Sequence, residues 1–255
     1  MCEIRLEHVS KIYQTGDKKT AALDDVSFAA CCGEFLAVTG PSGCGKSTLL
    51  HVIGGLLAPT KGRVLIGGAS LYEKDAAALA RYRRRRAGIV YQFYNLVPEL
   101  TARENLVLPA RMDGCAPDGA WVDEVLGILG MREKQNAYPR ELSGGQQQKI
   151  AVGRALVNRP VFLLADEPTG NLDCAKRDEV LALIQRLNER EGMTVILVTH
   201  DPSVVGMARR RLRMSDGRIV EDTAGRTATE KVKNREKAGC ERAAGRTAAR
   251  GGRAR

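Results

Sequence analysis

Gly40-Pro41-Ser42-Gly43-Cys44-Gly45-Lys46-Ser47 is the stretch that decides the fold. It fits G-x-x-x-x-G-K-[ST], a loop whose backbone N–H groups wrap a phosphate chain. Its glycines have no Cβ, so the backbone can turn with positive φ and approach a ligand closely. In this pattern Lys46 reaches the terminal phosphates, and the Ser47 hydroxyl is a ligand for Mg²⁺. We therefore expect a nucleotide site that runs from Gly40 to Thr48.

The residues on either side of this loop have the context that the pattern needs. Residues 35–38 are a short apolar run that predicts a buried strand, and residues 47–53 predict a helix. A strand, the loop and a helix must follow one another in that order for the loop to bind phosphate. This order rejects the alternative of a chance glycine-rich turn.

Two later apolar runs extend the prediction to a whole sheet. Residues 161–165 and 194–199 are short and continuously apolar, which is typical of parallel strands covered on both faces. Residues 174–190 between them predict a helix, and this alternation indicates an α/β fold with a mostly parallel sheet. Residues 4–9 alternate apolar and polar side chains and predict a half-buried strand near the phosphate loop. From residue 100 to about 157 the pattern is helical instead.

The net charge of +10 is unevenly distributed along the 255 residues. Residues 222–255 hold ten Lys/Arg and four Asp/Glu, so this tail supplies most of the excess. The tail has no apolar periodicity, and we expect it to be disordered and dispensable for catalysis. Because most of the positive net charge comes from the tail, this charge is only weak evidence for nucleic-acid binding. We expect no nucleic-acid partner.

The cysteines and the apolar runs indicate the cellular compartment in which we expect the protein. The seven cysteines are odd in number and lack paired, metal-like spacing, which favours a reducing environment. The N-terminus shows no basic region followed by an apolar stretch, so we expect no signal peptide. All apolar runs are shorter than the roughly 18 residues of a spanning helix. We expect a cytoplasmic protein that reaches a membrane only through a partner.

Three polar side chains follow the two apolar runs directly. Asp166 and Glu167 come after the first run, and His200 comes after the second. Ligands bind at the carboxyl edge of parallel sheets, so these residues are expected to face the nucleotide. Asp166 would hold Mg²⁺, Glu167 would orient the attacking water, and His200 would donate a hydrogen bond to the γ-phosphate. The alternatives are an ordinary acidic loop and a structural or simply exposed histidine.

A second motif narrows the class of protein. Leu142-Ser143-Gly144-Gly145-Gln146 offers another set of hydroxyl and amide donors for phosphate. With both motifs in place, the chain resembles the ATP-binding subunit of an ABC transporter over residues 3–221. The resemblance implies ATP and Mg²⁺ as cofactors and a dimer in which two ATP molecules are sandwiched. Each ATP would lie between the phosphate loop of one subunit and Ser143, Gly144, Gly145 and Gln146 of the other.

The resemblance also implies a fold and further site residues. The fold is a P-loop NTPase with a mostly parallel sheet, an antiparallel β subdomain and an inserted α-helical subdomain. In this chain the ATP-binding domain would span residues 1–221, with the helical subdomain at about 95–157. Tyr13 would stack on adenine, although it could also be a surface strand residue. Gln92 would sense Mg²⁺ and link the site to the helical subdomain.

A finer resemblance is to the subfamily that powers lipoprotein release and the export of macrolides or antimicrobial peptides. It is carried by Tyr91-Gln-Phe-Tyr-Asn-Leu-Val-Pro98 and by Ala165-Asp-Glu-Pro-Thr-Gly-Asn-Leu-Asp173. It implies a separate membrane permease that docks around residues 92–104, and it places the protein on the inner face of the cell membrane. Gly153 stands where this family usually has Ala, and a glycine in an exposed helix interior costs up to about 1 kcal/mol.

A rival hypothesis is a soluble ABC ATPase that acts on DNA or ribosomes. Such proteins generally carry a long coiled-coil insertion or two ATPase cassettes, whereas this sequence has one phosphate loop and one LSGGQ. A regulator without hydrolysis would need Glu167 or His200 to be replaced. The dense run of arginines at residues 81–86 is interpreted as a solvated helix face, with nucleic-acid contact as the alternative. Cargo contacts belong to the permease, so the sequence does not name the cargo.

Overall fold

The computed structural model describes residues 2–224. Its strands, in chain order, are β1 Cys2–Thr15, β2 Lys18–Cys31, β3 Phe35–Thr39, β4 Lys61–Ile66, β5 Ala69–Ser70, β6 Ala87–Val90, β7 Phe162–Asp166, β8 Thr194–Val198, β9 Arg210–Ser215 and β10 Arg218–Asp222. Its α-helices are α1 Lys46–Ile53, α2 Ala76–Arg85, α3 Ala102–Met112, α4 Gly119–Ile128, α5 Gly144–Leu156, α6 Cys174–Glu191 and α7 Pro202–Met207.

The main sheet has the strand order β10-β9-β3-β8-β7-β6. All neighbours from β9 to β6 run parallel, and only the edge strand β10 is antiparallel to its neighbour. The apolar runs form central strands because both faces are covered: Leu164 of β7 packs on one side and Leu163 on the other, both fully buried. The prediction of a mostly parallel α/β sheet is confirmed.

The antiparallel sheet has the order β2-β1-β4-β5 and covers α1. Ile4, Leu6 and Val9 of β1 are buried in the same core as Leu49 and Ile53 of α1. A bulge shifts the register between Leu6 and Val9, so the apolar face is kept although the spacing is uneven. β1 and β2 are longer than the alternating pattern predicted, because residues 13–14 and 16–20 of their hairpin end are exposed and carry no apolar signal.

The helices α3, α4 and α5 lie between β6 and β7 in the chain and form the inserted helical part. They share a second core with α6 and with the other face of the main sheet. Gly153 of α5 is buried there, so the expectation that it lies in an exposed helix interior was wrong. A Cβ built on Gly153 would lie 2.6 Å from Leu129 Cδ1 and 2.9 Å from Leu106 Cδ1. The glycine therefore allows α3 and α4 to approach α5 closely.

The arginine run at 81–86 is partly solvated, since Arg81, Arg85 and Arg86 are exposed, but most of its side chains also have partners within the protein. Arg83 donates to the carbonyl of Gly55. Arg84 and Arg85 both donate to the carboxylate of Asp113, the residue directly after α3. The run therefore connects α2 to the helical part of the molecule.

The C-terminal limit of the described structure is β10 and the two residues after it. Asp222 is the last residue of β10, which therefore ends one residue beyond the predicted end of the ATP-binding domain at residue 221. The carboxylate of Asp222 forms an ion pair with Arg210 at 2.6 Å. The predicted basic tail at 222–255 lies outside the described residues from position 225 onward. Within residues 2–224 no helix is both long and apolar enough to cross a membrane.

Candidate nucleotide-binding site

The phosphate loop turns between β3 and α1 through a left-handed backbone. Gly40, Gly43 and Gly45 have φ of 147°, 77° and 101°, which side chains rarely tolerate. A Cβ on Gly45 would lie 2.1 Å from the carbonyl oxygen of Ala22, and one on Gly40 would lie 2.3 Å from that of Met214. Gly45 precedes α1 without a side-chain cap, so the first N–H groups of the helix are available to an anion.

The loop also holds its lysine in place. Lys46 is 93% shielded from solvent, and its Nζ donates to the carbonyl oxygens of Gly40 at 2.9 Å and Pro41 at 2.7 Å. The thiol of Cys44 is buried beneath the loop, with its Sγ 3.8 Å from the same Nζ. The ammonium is therefore positioned at the loop by backbone oxygens that a phosphate can replace.

Most of the predicted site residues line one cleft of about 520 Å³. The lining residues are Ala22, Gly40, Ser42, Gly43, Gly45, Lys46, Ser47, Thr48, Gln92, Asp166, Glu167 and His200. Ala22 was missed because nothing in its sequence context marks it. Pro41 and Cys44 belong to the loop but are not part of the cleft wall.

The two carboxylates lie where β7 ends. Asp166 is the last residue of β7, and Glu167 follows with φ of 44°. The N–H of Glu167 donates to the carbonyl of Val198 at 3.0 Å, and its Oε2 lies 3.0 Å from Nδ1 of His200. A left-handed backbone at a residue other than glycine costs about 1–3 kcal/mol, and such positions cluster at functional sites.

Gln92 enters the cleft from the loop after β6. The carbonyl of Gln92 accepts a hydrogen bond from Nδ2 of Asn171 at 3.3 Å. A Cβ built on Gly170 would lie 3.4 Å from Nε2 of Gln92 and 3.5 Å from Oε2 of Glu167. The segment at Gly170 and Asn171 is thus in contact with two of the predicted site residues at once.

Asp173 fixes the start of α6 next to that segment. Its carboxylate accepts from the backbone N–H of Lys176 at 3.0 Å and from its Nζ at 2.6 Å. These hydrogen bonds lower the pKa of Asp173. The aliphatic part of Lys176 lies against Gly145, where a Cβ would be 2.7 Å from Lys176 Cδ.

The LSGGQ motif forms the start of α5, away from the cleft wall. The Ser143 hydroxyl accepts from the N–H of Gln146, and the Gln146 side chain accepts from the N–H of Ser143 at 2.9 Å, which makes a capping box. Gly144 lies against Tyr94, since a Cβ there would be 2.7 Å from the Tyr94 hydroxyl. Within one chain, Ser143 therefore lies outside the cleft that the phosphate loop lines.

Tyr13 lies on β1, paired with Thr20 of β2, and is 43% exposed. The Nζ of Lys11 lies 5.6 Å from the centre of its ring. Tyr13 is not among the residues that line the cleft. Its role in stacking on adenine stays a prediction.

Comparison with known proteins identifies the class. The family described as ABC transporter matches residues 23–170. The lipoprotein-releasing system ATP-binding protein LolD of Bordetella avium is 42% identical over 219 residues, which is 85% of this chain and 95% of that protein. An uncharacterized ABC transporter ATP-binding protein of Thermotoga maritima is 45% identical over 218 residues, 85% of this chain and 93% of its own length.

A solved structure agrees with these sequences. The ATP-binding cassette MJ0796, in a dimeric post-hydrolysis state bound to ADP and Pi, superimposes with a TM-score of 0.79 at 39% identity. The match covers 86% of this chain and 97% of that one. The predicted P-loop NTPase fold and the resemblance to ABC ATP-binding subunits are confirmed. The chain belongs to the ABC transporter family, as one of its ATP-binding and ATP-hydrolysing subunits.

Proposed function

We propose that this ATPase powers lipoprotein release by a separate membrane permease. The observation that carries the proposal is its 42% identity, along 95% of the relative's length, to a protein named for a lipoprotein-releasing system. The rival hypothesis of action on DNA or ribosomes receives no support, because the relatives are named as transport components. Through the permease the subunit would sit on the inner face of the cell membrane.

The cleft supports a division of roles among its residues. The glycine-rich backbone from Gly40 to Thr48 and the ammonium of Lys46 hold the phosphates. Glu167 accepts a hydrogen bond from the attacking water and orients it toward the γ-phosphate. Nδ1 of His200 orients that carboxylate, since a carboxylate can only accept. With Nδ1 as the donor to Glu167, His200 would also donate from Nε2 to the γ-phosphate as the imidazolium, in which both ring nitrogens carry a proton.

The oxygen donors of the cleft fit Mg²⁺. The hydroxyl of Ser47, the amide of Gln92 and the carboxylate of Asp166 line the same cleft, and Mg²⁺ prefers oxygen ligands. Residues 2–224 contain no group of three or more His, Cys, Asp or Glu side chains that would hold a metal alone. This agrees with an ion bound by a few protein oxygens and by the substrate's phosphates. When bound, Mg²⁺ would neutralise charge on those phosphates.

The separation of Ser143 from the cleft supports a paired arrangement. Ser143, Gly144, Gly145 and Gln146 begin α5 and do not line the cleft of their own chain. We propose that they complete the cleft of a second copy, so that two ATP molecules are enclosed between two subunits. The solved cassette of 39% identity is itself dimeric.

The proposed permease-docking groove lies around residues 92–104. Next to it, at Tyr91, lies a second cleft of about 390 Å³. Its lining residues are Leu56, Ala80, Arg83, Arg84, Ala87, Ile89, Tyr91, Leu108, Pro109, Met112, Arg154 and Ala155. Met112 is 67% exposed on its rim, and Phe93, two residues along the chain from Tyr91, is 68% exposed. Leu96 also lies within residues 92–104, but it is partly buried against the helical core. A substitution of Leu96 would therefore disturb the core as well as docking.

The proposal is tested by reconstitution. The subunit is purified with a candidate four-span permease and placed in liposomes that carry a lipoprotein. We expect ATP-dependent release of the lipoprotein to a soluble acceptor, and none with the Glu167→Gln variant. Failure to co-purify with any candidate permease, with recovery of ribosomes or DNA instead, would contradict the proposal.

A further inference from the structure

The turn between β9 and β10 lies against the phosphate loop. Asp216 and Gly217 form this two-residue turn, with φ of 47° and 77°. Two successive left-handed residues are the geometry of a type I′ hairpin turn, for which Asp-Gly is a favoured sequence. The strand residues on either side of the turn pair with each other, as Ser215 and Arg218 do here. The backbone groups of Gly217 can therefore bind other parts of the chain.

Both backbone groups of Gly217 are used outside the hairpin. Its N–H donates to the carbonyl oxygen of Cys44 in the phosphate loop at 3.1 Å, and its carbonyl oxygen accepts from the N–H of Asp24 in β2 at 2.9 Å. The neighbouring Arg218 donates from Nε and Nη2 to one carboxylate oxygen of Asp24, at 2.8 and 2.6 Å. This one turn therefore links the phosphate loop to the antiparallel sheet.

The end of β9 contacts the phosphate loop at a second place. A Cβ built on Gly40 would lie 2.3 Å from the carbonyl oxygen of Met214, so the backbones of these two residues are in close contact. The hairpin thus meets the loop at its first residue, Gly40, and again at Cys44. Because the contacts are to backbone atoms, they act on the conformation of the loop itself.

The hydrogen bond to Cys44 determines which way the next N–H points. The peptide bond between Cys44 and Gly45 is planar and trans, so its C=O and N–H point in opposite directions. Since the C=O points to Gly217, the N–H of Gly45 points away from the hairpin, and Gly45 lines the nucleotide cleft. Within residues 2–224 no protein oxygen accepts from this N–H. It is therefore available to a phosphate oxygen.

We propose that Gly217 and Arg218 are positioning residues for nucleotide binding, which hold the Cys44–Gly45 peptide with its N–H toward the phosphates. This N–H is then oriented before the nucleotide arrives, and such preorganisation raises affinity. Loss of the contact weakens binding of the phosphate chain and leaves the chemistry at Glu167 unchanged. The proposal rests on the phosphate-binding role assigned to the loop above.

Gly217→Ala tests the turn directly. The added Cβ would lie 3.1 Å from the carbonyl oxygen of Ala22, and a left-handed φ is unfavourable for alanine. We expect the dissociation constant of MgADP to rise by roughly three- to tenfold. The KM for ATP should rise with it, while kcat at saturating ATP stays within about twofold of the parent value.

Gly68→Ala is the matched control. Gly68 is also the second residue of a two-residue turn, between β4 and β5, and its φ of 83° is close to that of Gly217. A Cβ built on Gly68 has no atom within 4 Å. Both substitutions strain a turn and should lower stability to a similar degree. Only Gly217→Ala should weaken nucleotide binding.

Isotope labelling reports on the Gly45 amide itself. Cys32-Gly33 and Cys44-Gly45 are the only Cys-Gly pairs in the sequence, so cysteine labelled with ¹³C at its carbonyl and glycine labelled with ¹⁵N give two signals in a spectrum that selects this peptide bond. The Gly45 amide proton should move downfield when MgADP binds the parent protein, because a hydrogen bond to phosphate deshields it. At saturating MgADP the shift should be smaller in Gly217→Ala. Gly33 lies outside the cleft and is the internal reference.

Arg218→Met is the second variant, for use if Gly217→Ala does not fold. It removes only an exposed ion pair to Asp24, so we expect a rise of about two- to fivefold in the MgADP dissociation constant. The proposal is overturned if Gly217→Ala, or Arg218→Met where it alone folds, binds MgADP with the parent affinity. It is also overturned if Gly68→Ala weakens binding as much as Gly217→Ala, or if the Gly45 shift is the same in Gly217→Ala and the parent. A parent protein that binds no MgADP would count against the nucleotide site instead.

Discussion

Nδ1 of His200 lies 3.0 Å from Oε2 of Glu167, so the two side chains that follow neighbouring parallel strands are within ion-pair distance of each other. The register brings them together, because Asp166 pairs with Val198 at the ends of β7 and β8. The same strand end also binds the N–H of Glu167 through the carbonyl of Val198 at 3.0 Å. Backbone and side chain of Glu167 are thus both positioned by β8 and the residues that follow it.

Lys46→Ala should weaken ATP binding itself. The variant loses a charge-assisted contact to phosphate, worth about 1.5–3 kcal/mol, which corresponds to roughly 10- to 100-fold in the dissociation constant. Equilibrium titration with a fluorescent ATP analogue measures this. Ser143→Arg is the contrasting variant: it should block ATP-induced dimerisation while the titration stays near the parent value. Equal affinity of Lys46→Ala and the parent would contradict the assignment.

Phe93→Asp should disrupt docking to the permease and leave ATP affinity nearly unchanged. Phe93 is 68% exposed, so the substitution places a charge on the surface without opening the core. Co-purification with the permease reports docking, and the nucleotide titration reports the cleft. Val220→Asp is the control, since Val220 is 48% exposed on β10 and lies neither in residues 92–104 nor in the cleft that Tyr91 lines. Equal loss of the permease in both variants would argue against the groove.

Gly153→Ala should destabilise the protein although alanine is the better helix former. The added methyl would press on Leu129 and Leu106, and such overpacking typically costs about 1–3 kcal/mol. The gain in helix propensity is about 1 kcal/mol, so we expect a net loss of about 1 kcal/mol in chemical denaturation. Gly119→Ala, with no atom within 4 Å of the new Cβ, should not lower stability.

Asp113→Asn should destabilise the protein in a manner that depends on pH. The side chains of Arg85 and Arg84 hold the pKa of Asp113 below its ordinary value of 3.8. The carboxylate therefore stabilises the folded state above that ordinary value, and this contribution is lost as the pH falls through the lower pKa of the folded state. Unfolding curves of parent and variant should differ at neutral pH and converge in acid. A constant difference would show that the ion pairs are not responsible.

The sequence predicted the phosphate loop and the strand ends well, because these depend on local patterns. Asp166, Glu167 and His200 were placed correctly since each follows a continuous apolar run that becomes a central strand. The contact between Glu167 and His200, and the positive φ of Glu167, depend on the register of distant strands and leave no local signal.

Other elements escaped prediction for similar reasons. β9 was not foreseen because it carries arginines in place of an apolar run, and its Arg210 is stabilised by Asp222 of β10. The burial of Gly153 depends on the close approach of Leu129 from another helix. The pairing of Arg84 and Arg85 with Asp113 joins residues far apart in the chain, which one sequence does not reveal.

The most direct test of the account is the Glu167→Gln variant, measured by ATP turnover and by size-exclusion chromatography with MgATP. The amide keeps the shape of the side chain but cannot act as a carboxylate toward the attacking water. We expect turnover to fall by about 10²–10⁴-fold while ATP binding is preserved, and the protein to elute as a long-lived dimer. A variant that stays monomeric and hydrolyses ATP at the parent rate would contradict the assignment of Glu167 as the residue that orients the water.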